Sequence, residues 1–178
     1  QVRRQKIFLT CLFLLIVGCI LLRFSKFSGR QKETHQINAA CEAYRDEVSS
    51  EAAQYDMSDY VDLILAVMMQ ESSGQGTDPM QSSEGAYNTR YPQQPNGITD
   101  PSYSIPCGIQ ELKYALDKAG CTGPTDLSKI RLALQAYNFG ADSYFAYLEE
   151  NGQTVWTAQS AQAFAQMASG GTQRDEDD

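Results

Sequence analysis

The chain has 178 residues with a formal net charge of -8, and its only histidine is His35; that length holds one domain of common size plus an appendage. Every acidic residue lies from Glu33 onward while the Lys and Arg residues before it are unopposed, so the acidic C-terminal portion excludes nucleic acid as the expected ligand, because phosphate requires a basic surface. A single histidine in a polar stretch also excludes Ser-His-Asp, Cys-His and His-rich zinc chemistry, so no metal or cofactor is expected and the remaining chemistry belongs to carboxylates.

Residues 7–22 (IFLTCLFLLIVGCILL) carry no charge and follow Arg3, Arg4 and Lys6. With Phe24 included and Arg23 snorkelling, the run reaches the lower end of the length that spans a bilayer. The expectation is a cytoplasmic stub at 1–6, a single-pass transmembrane anchor at 7–24 and a polar linker at 25–36. Two rivals stay open. A cleaved signal peptide would need a small-x-small site, which does not follow the run. Ile16-Val17-Gly18-Cys19 looks like a lipoprotein box that would lipidate Cys19, but residues 20–22 continue apolar where such a segment turns polar. Arg23, Lys26, Arg30 and Lys32 rival the N-terminal positives, so loop charge does not decide the orientation.

Ile37, Cys41, Tyr44, Val48, Ala52 and Tyr55 step by three and four, which predicts one long amphipathic helix over 37–55 that packs within the domain. It is too short for a coiled coil, having fewer than about four heptads. Asp56 or Ser58 is expected to cap the next helix. There Val61, Ile64, Leu65, Met68 and Met69 form one apolar stripe, and at about 100° per residue Glu71 falls beside Ile64 on its edge. Ser72, Ser73 and Gly74 follow, which places Glu71 in the last turn. Burial against apolar neighbours and the negative end of the helix dipole both disfavour its ionisation. The consequence is chemical: an unperturbed Glu, with a pKa of about 4.3, is protonated in only roughly 0.2% of molecules at pH 7. Splitting a glycosidic bond needs a carboxyl that keeps its proton. A helix-end Glu is more often solvated surface, so the helix alone does not assign the role.

Residues 74–106 are rich in Gly, Pro, Ser, Asn, Asp and Gln, with Tyr87, Tyr91 and Tyr103 interleaved. No helix or strand period runs through them, and so long a connection in a small domain is commonly functional. Amides that bond sugar hydroxyls and rings that cover a pyranose face would suit a glycan; the plain alternative is a surface loop with tyrosines tucked over the core. Ser104 is expected to cap a helix reaching Ala119, with Pro106 in its first turn and Gly120 ending it. Asp126 should cap the next, with a stripe of Leu127, Ile130, Leu134 and Tyr137 and a break at residues 138–140. Residues 142–148 and 157–168 read as closing helices, Trp156 as a core residue and 169–178 as a flexible acidic tail. Cys107 and Cys121 would stand about 20 Å apart at the ends of one helix, too far to bond. Any disulfide would have to use Cys41, and no disulfide framework is expected.

Glu71-Ser72-Ser73-Gly74, then Pro79-Met80-Gln81-Ser82-Ser83-Glu84, then Ser104-Ile105 with Gly108-Ile109-Gln110, then Ala136-Tyr137-Asn138-Phe139-Gly140 together resemble the lysozyme-like muramidase domain of Gram-positive conjugative-element cell-wall hydrolases. That family is related to goose-type lysozymes and soluble lytic transglycosylases, and the resemblance covers roughly residues 57–147. It implies a mainly α, lysozyme-like domain over 37–168, its long loop region lining a cleft outside the cytoplasm. It also implies cleavage of the β-1,4 bond between N-acetylmuramic acid and N-acetylglucosamine, with Glu71 as general acid and Ser72, Gln81, Ser82, Glu84, Gln110, Tyr137 and Asn138 binding the peptidoglycan strand. Tyr137 and Asn138 would line the cleft opposite Glu71, although a core tyrosine and a helix-ending Asn are their plainer roles. The second carboxylate is open among Asp78, Glu84 and Asp100, with Glu84 favoured because it ends its segment. Without such a group the reaction would be lytic transglycosylation. A non-catalytic peptidoglycan-binding or scaffold role remains the competing class. The resemblance further implies local opening of the wall for a conjugative type IV secretion apparatus, whose other proteins would be partners.

Overall fold

Asn38 caps a short helix, its side-chain oxygen accepting from the Cys41 N–H at 2.8 Å. The structure is a computed structural model that describes residues 36–168. The expected stub, the anchor at 7–24, all but the last residue of the linker, Cys11, Cys19, His35 and the tail at 169–178 lie outside the described residues. The chain divides into Gln1–Gln36 and Ile37–Asp178, and the helices of the described residues belong to the second unit. They are α1 (Ala39–Glu42), α2 (Arg45–Gln54), a 3-10 turn (Ser58–Tyr60), α3 (Val61–Ser72), α4 (Pro101–Ala119), α5 (Leu127–Phe139), α6 (Ala141–Glu150) and α7 (Ala158–Ala168). Among the described residues there is no strand, and no helix is long and apolar enough to cross a membrane. The domain is mainly helical, as expected.

Around α4 the other elements assemble: it packs against α2, α5 and α6, while α3 packs against α1 and α2. The reason is its apolar stripe. Ile105, Ile109, Leu112, Leu116 and Ala119 are all buried at the three- and four-residue spacing that holds side chains on one helical face. Each such Ile or Leu removed from water contributes about 1.5–3 kcal/mol relative to exposure. Ile64, Leu65 and Met68 of α3, Val48 and Ala52 of α2 and Ala133 and Ala136 of α5 complete the same core. Trp156 is half-buried against it, and Phe164 of α7 meets Tyr144 and Phe139 edge to face.

Several boundaries differ from the sequence reading. The helix expected over 37–55 is two, α1 and α2, because the chain turns at Ala43 and Tyr44 between them. Neither Asp56 nor Ser58 caps α3, since the 3-10 turn runs straight into it and Asp56 sits at a φ of 58°. Ser104 does not cap α4. That helix starts at Pro101, with Asp100 accepting from the Ser102 N–H at 3.1 Å, a pairing of capping Asp and first-turn Pro that is itself a helix-start signal. Pro106 therefore lies inside the helix rather than in its first turn. Its missing N–H would have bonded the carbonyl of Ser102, an exposed residue where water can serve instead. Asp126 does cap α5, accepting from Lys129, and Gly120 ends α4 at a φ of 69°. Leu127 is not part of the buried stripe, being 63% exposed, because it stands at the very start of α5.

Candidate active site

Glu71 occupies the last turn of α3, which ends when Ser73 adopts a left-handed φ of 57°. Gly74 follows at a φ of 73°, where a Cβ would lie 2.8 Å from the Cys41 backbone nitrogen. Asn38 Nδ2 donates to the Ser73 carbonyl at 3.1 Å. The helix end is therefore held against α1, and the chain leaves in a fixed direction. Glu71 is half-buried, and its carboxyl is pushed up to about 7, first by burial and then by the negative charge of Asp78. Among the described residues neither a cation nor a hydrogen bond offsets these two effects. Burial was foreseen from the helix alone; the neighbouring charge, brought in by a residue of the loop, was not.

Asp78 is 2% exposed and is the centre of the loop that follows. Its Oδ1 accepts from the Ser82 N–H at 3.0 Å and from Ser104 Oγ at 2.6 Å. Its Oδ2 accepts from the Ser83 N–H at 3.0 Å and from Ser83 Oγ at 2.5 Å. A carboxylate offers about four lone-pair sites, and all are filled. Asp78 thus has no lone pair left for a reacting water, and it acts on the site through its charge and through the turn it organises.

That turn is tied to three helices. Ser72 Oγ, at the end of α3, donates to the Pro79 carbonyl at 2.8 Å and accepts from the Gly74 N–H at 3.0 Å. Ser104 Oγ of α4 accepts from the Met80 N–H at 3.1 Å while donating to Asp78. Tyr137 Oη of α5 donates to the Met80 carbonyl at 2.9 Å. Met80 is fully buried against Gly108, where a Cβ would meet the Met80 Cβ at 2.5 Å. The spacing of the Pro79-Met80 and Gly108 motifs is thus a packing requirement: only glycine on α4 lets the turn approach this closely.

The other predicted residues separate by environment. Gln81 holds a left-handed φ of 50° and donates from Nε2 to the Asp78 carbonyl at 2.9 Å. Outside glycine such a backbone costs about 1–2 kcal/mol, and strained residues of this kind gather at functional sites. Ser82 is buried, with Oγ bonded to the Ser104 carbonyl at 3.3 Å. Glu84 is exposed. Gln110 donates from Nε2 to the Pro106 carbonyl at 3.0 Å. Asn138 Nδ2 is buried with no hydrogen-bond partner, a donor that an arriving acceptor could satisfy. The Tyr137 hydroxyl is held well above its ordinary value, first by burial and then by the charges of Glu71 and Glu111, so Tyr137 stands in the same electrostatic neighbourhood as Glu71 and remains a neutral donor. Asp100 is the α4 cap. Among the described residues no three His, Cys, Asp or Glu side chains come together to hold a metal ion.

The loop between α3 and α4 has its own order. Asn88 Nδ2 donates to the Ser83 carbonyl at 2.7 Å, Ile98 N–H donates to Ser83 Oγ at 2.9 Å, and Thr77 Oγ1 donates to the Ile98 carbonyl at 3.0 Å. Tyr103 Oη accepts from the Thr89 N–H at 3.1 Å, and the Tyr103 ring lies 5.2 Å from that of Tyr91. These tyrosines are half-buried supports of the loop. Glu111, next to Gln110, was missed: it is a carboxyl on the inner side of α4, and no sequence period marks it. Cys41, Cys107 and Cys121 are free thiols.

Comparison with known proteins bears on this arrangement. Residues 39–178 match the family described as lysozyme-like. The bifunctional muramidase/DL-endopeptidase CwlT of Bacillus subtilis is 39% identical over 120 residues, 67% of this chain and 32% of that protein. The uncharacterized membrane protein YocA of the same organism is 40% identical over 62% of this chain and 45% of its own length. A pneumococcal vaccine antigen A homolog of Streptococcus pyogenes is 37% identical over 62% of this chain and 50% of its own. The chain thus spans between about a third and a half of the length of these relatives. A Staphylococcus aureus crystal structure, described as similar to lipoprotein of the NLP/P60 family, superposes with a TM-score of 0.64 at 28% identity, covering 79% of this chain and 44% of that one.

Proposed function

Since this chain belongs to the lysozyme-like family, we propose that it is a peptidoglycan hydrolase, an N-acetylmuramidase that cleaves the β-1,4 bond between N-acetylmuramic acid and N-acetylglucosamine. The observation that carries the reading is the Glu71 carboxyl, pushed up to about 7 by burial and by Asp78. At neutral pH a large fraction of molecules then holds a proton to give to the glycosidic oxygen as the bond to the leaving sugar breaks. The name of CwlT, a muramidase as well as an endopeptidase, supports the same assignment.

In this reading Gln81, Glu84, Gln110, Tyr137 and Asn138 contact the glycan strand, the unpartnered Asn138 Nδ2 donating to a sugar oxygen. Ser72 and Ser82 hold the turn that carries Gln81 and Glu84. Hydrolysis with inversion or retention needs a second carboxylate. Asp78 has its lone pairs filled and Asp100 caps α4, which leaves Glu84 among the sequence candidates as the group to position or activate water. The same two observations favour a second reading: lytic transglycosylation, in which the muramic sugar's own hydroxyl attacks and Glu71, having donated its proton, takes that hydroxyl's proton. A reducing-end product marks hydrolysis and an anhydro product marks transglycosylation.

The proposal extends to location. Residues 7–24 anchor the domain at the outer face of the cell membrane, in keeping with YocA being named a membrane protein, and the wall opening serves a conjugative type IV secretion apparatus, a part that rests on family resemblance. The deciding experiment is a zymogram on Gram-positive walls with mass analysis of the fragments. Glu71→Gln is expected to abolish lysis with its helical spectrum intact; undiminished lysis would assign the acid to another carboxyl.

A further inference from the structure

Arg90 is the only Lys or Arg between Arg45 and Lys113, a stretch with eleven acidic residues that includes α3, the loop and the first turns of α4. A lone cation in such surroundings is expected to find a carboxylate, as Arg45, Lys113 and Lys118 do. Arg90 does not: among the described residues it enters no ion pair. Its guanidinium lies instead over the Tyr103 ring, 5.4 Å from the centroid, and the residue is exposed.

The backbone on either side of Arg90 is fixed. Buried Asn88 accepts from the Tyr91 N–H at 3.0 Å and donates to the Tyr91 carbonyl at 3.2 Å and the Ser83 carbonyl at 2.7 Å. Tyr103 Oη accepts from the Thr89 N–H at 3.1 Å, and its ring lies 5.2 Å from that of Tyr91. The turn that carries Arg90 is thus tied to Ser83, the neighbour of Glu84, and to Tyr103, the neighbour of Ser104, whose hydroxyl bonds Asp78. A guanidinium within about 6 Å of a ring face keeps its charge and the N–H donors at its edge. Stacking on Tyr103 therefore orients the cation without neutralising it. The ring offers no acceptor in the guanidinium plane, where a carboxylate matches the fork of donors.

On the proposed substrate the sugar rings are neutral, and carboxylates hang from the muramic sugar: on its lactyl group when that is bare, on the attached peptide when it is substituted. We propose that Arg90 is a specificity-determining residue that binds such a carboxylate, so that the site takes strands bearing it in preference to neutral ones. The inference rests on the proposed glycan-cleaving role of the site, but binding tests it apart from cleavage.

Wall sacculi freed of teichoic acid, so that no wall phosphate takes part, are the probe, used untreated and after conversion of their carboxylates to amides. Cosedimentation with the whole chain in detergent reads binding. Wild type is expected to bind untreated sacculi about ten-fold more tightly than Arg90→Gln, the effect of roughly one charge-assisted pair, and this advantage should vanish on amidated sacculi. Arg90→Lys, which keeps the charge without the fork, should recover part of the loss, and added salt should shrink the wild-type advantage. On solubilised strands Arg90→Gln should raise KM with little change in kcat. A loss in Arg90→Gln on strands stripped of peptide assigns the lactyl carboxylate; a loss confined to peptide-bearing strands assigns the peptide. Equal binding of untreated sacculi by Arg90→Gln and wild type overturns the proposal, as does a loss just as large on amidated sacculi. A wild-type chain that cleaves no glycan overturns the proposed function instead, and cosedimentation still decides the role of Arg90.

Discussion

Ser104 Oγ donates to Asp78 Oδ1 at 2.6 Å, joining residues 26 positions apart in the chain. This bond fastens the loop to α4 behind Glu71 and keeps a filled, buried carboxylate next to a carboxyl that is short of solvent. One residue thus does two things: it shapes the turn, and its charge raises the proton affinity of its neighbour.

Asp78→Asn should separate these effects from those of an ordinary core change. The amide keeps one acceptor oxygen and turns an NH2 toward hydroxyl and N–H donors, so at least one buried donor loses its partner, at a cost of about 1–3 kcal/mol. A urea midpoint shifted by that amount checks the first part. With the charge gone, the Glu71 carboxyl falls from about 7 toward the ordinary range, so the alkaline limb of wall lysis should move to lower pH. A limb that stays in place would remove Asp78 from the account of Glu71.

Glu71 itself links stability to pH. Its carboxyl is raised from 4.5 to about 7 in the folded chain, so between those values the native state keeps a proton that the unfolded state has lost. Stability that is fully present below pH 4.5 is therefore lost as pH rises through about 7, amounting to about 1–3 kcal/mol for a half-buried group. Glu71→Gln removes this dependence. Thermal melts should place the variant above the wild type at pH 8 and close to it at pH 4; equal melting temperatures at both would show that the carboxyl is not held in the raised state.

Gly108→Ala adds one methyl where the buried Met80 side chain already stands, with Met80 Cγ and Cε each 2.8 Å from the new atom. Overpacking of this kind costs about 1–3 kcal/mol. Because Met80 belongs to the turn beside Glu71, lysis at 25 °C should fall with stability. A chemical denaturation curve superimposable on that of the wild type would mean the turn can yield without loss.

Tyr137→Phe deletes the hydroxyl that bonds the Met80 carbonyl at 2.9 Å and leaves the ring. The expected loss is about 1 kcal/mol, typical of one hydrogen bond. Under the glycan reading it should also weaken turnover. Unaltered kinetics with the small stability loss would make Tyr137 a brace for the turn and nothing more.

The helical frame could be read before any coordinates, and the reasons are local. Ile64, Leu65 and Met68 repeat at the helical period and are buried; Asp126 and Gly120 bracket helices by rules that involve only their neighbours. Glu71 was legible for the same reason, since its place on the stripe and in the last turn follows from α3 alone. The misread boundaries had signals too: the Asp100-Pro101 pair announces the start of α4, yet Ser104 drew the cap assignment because its true partner, Asp78, is distant in sequence.

The roles of Asp78, Ser104 and Gly108 and the place of Glu111 depend on contacts between segments, and no period or spacing encodes those. By itself the amino-acid order determined which stretches are helical, which faces are buried and which carboxyl is the acid candidate, because these follow from interactions within a turn or two of chain. Only the tertiary structure decided that Asp78 is saturated by serines from two segments, that its charge falls on Glu71, and that Glu111 lies under Gly85. The physical reason is that desolvation, charge and hydrogen bonding act through space, and the groups concerned become neighbours only once α3, the loop and α4 have packed together.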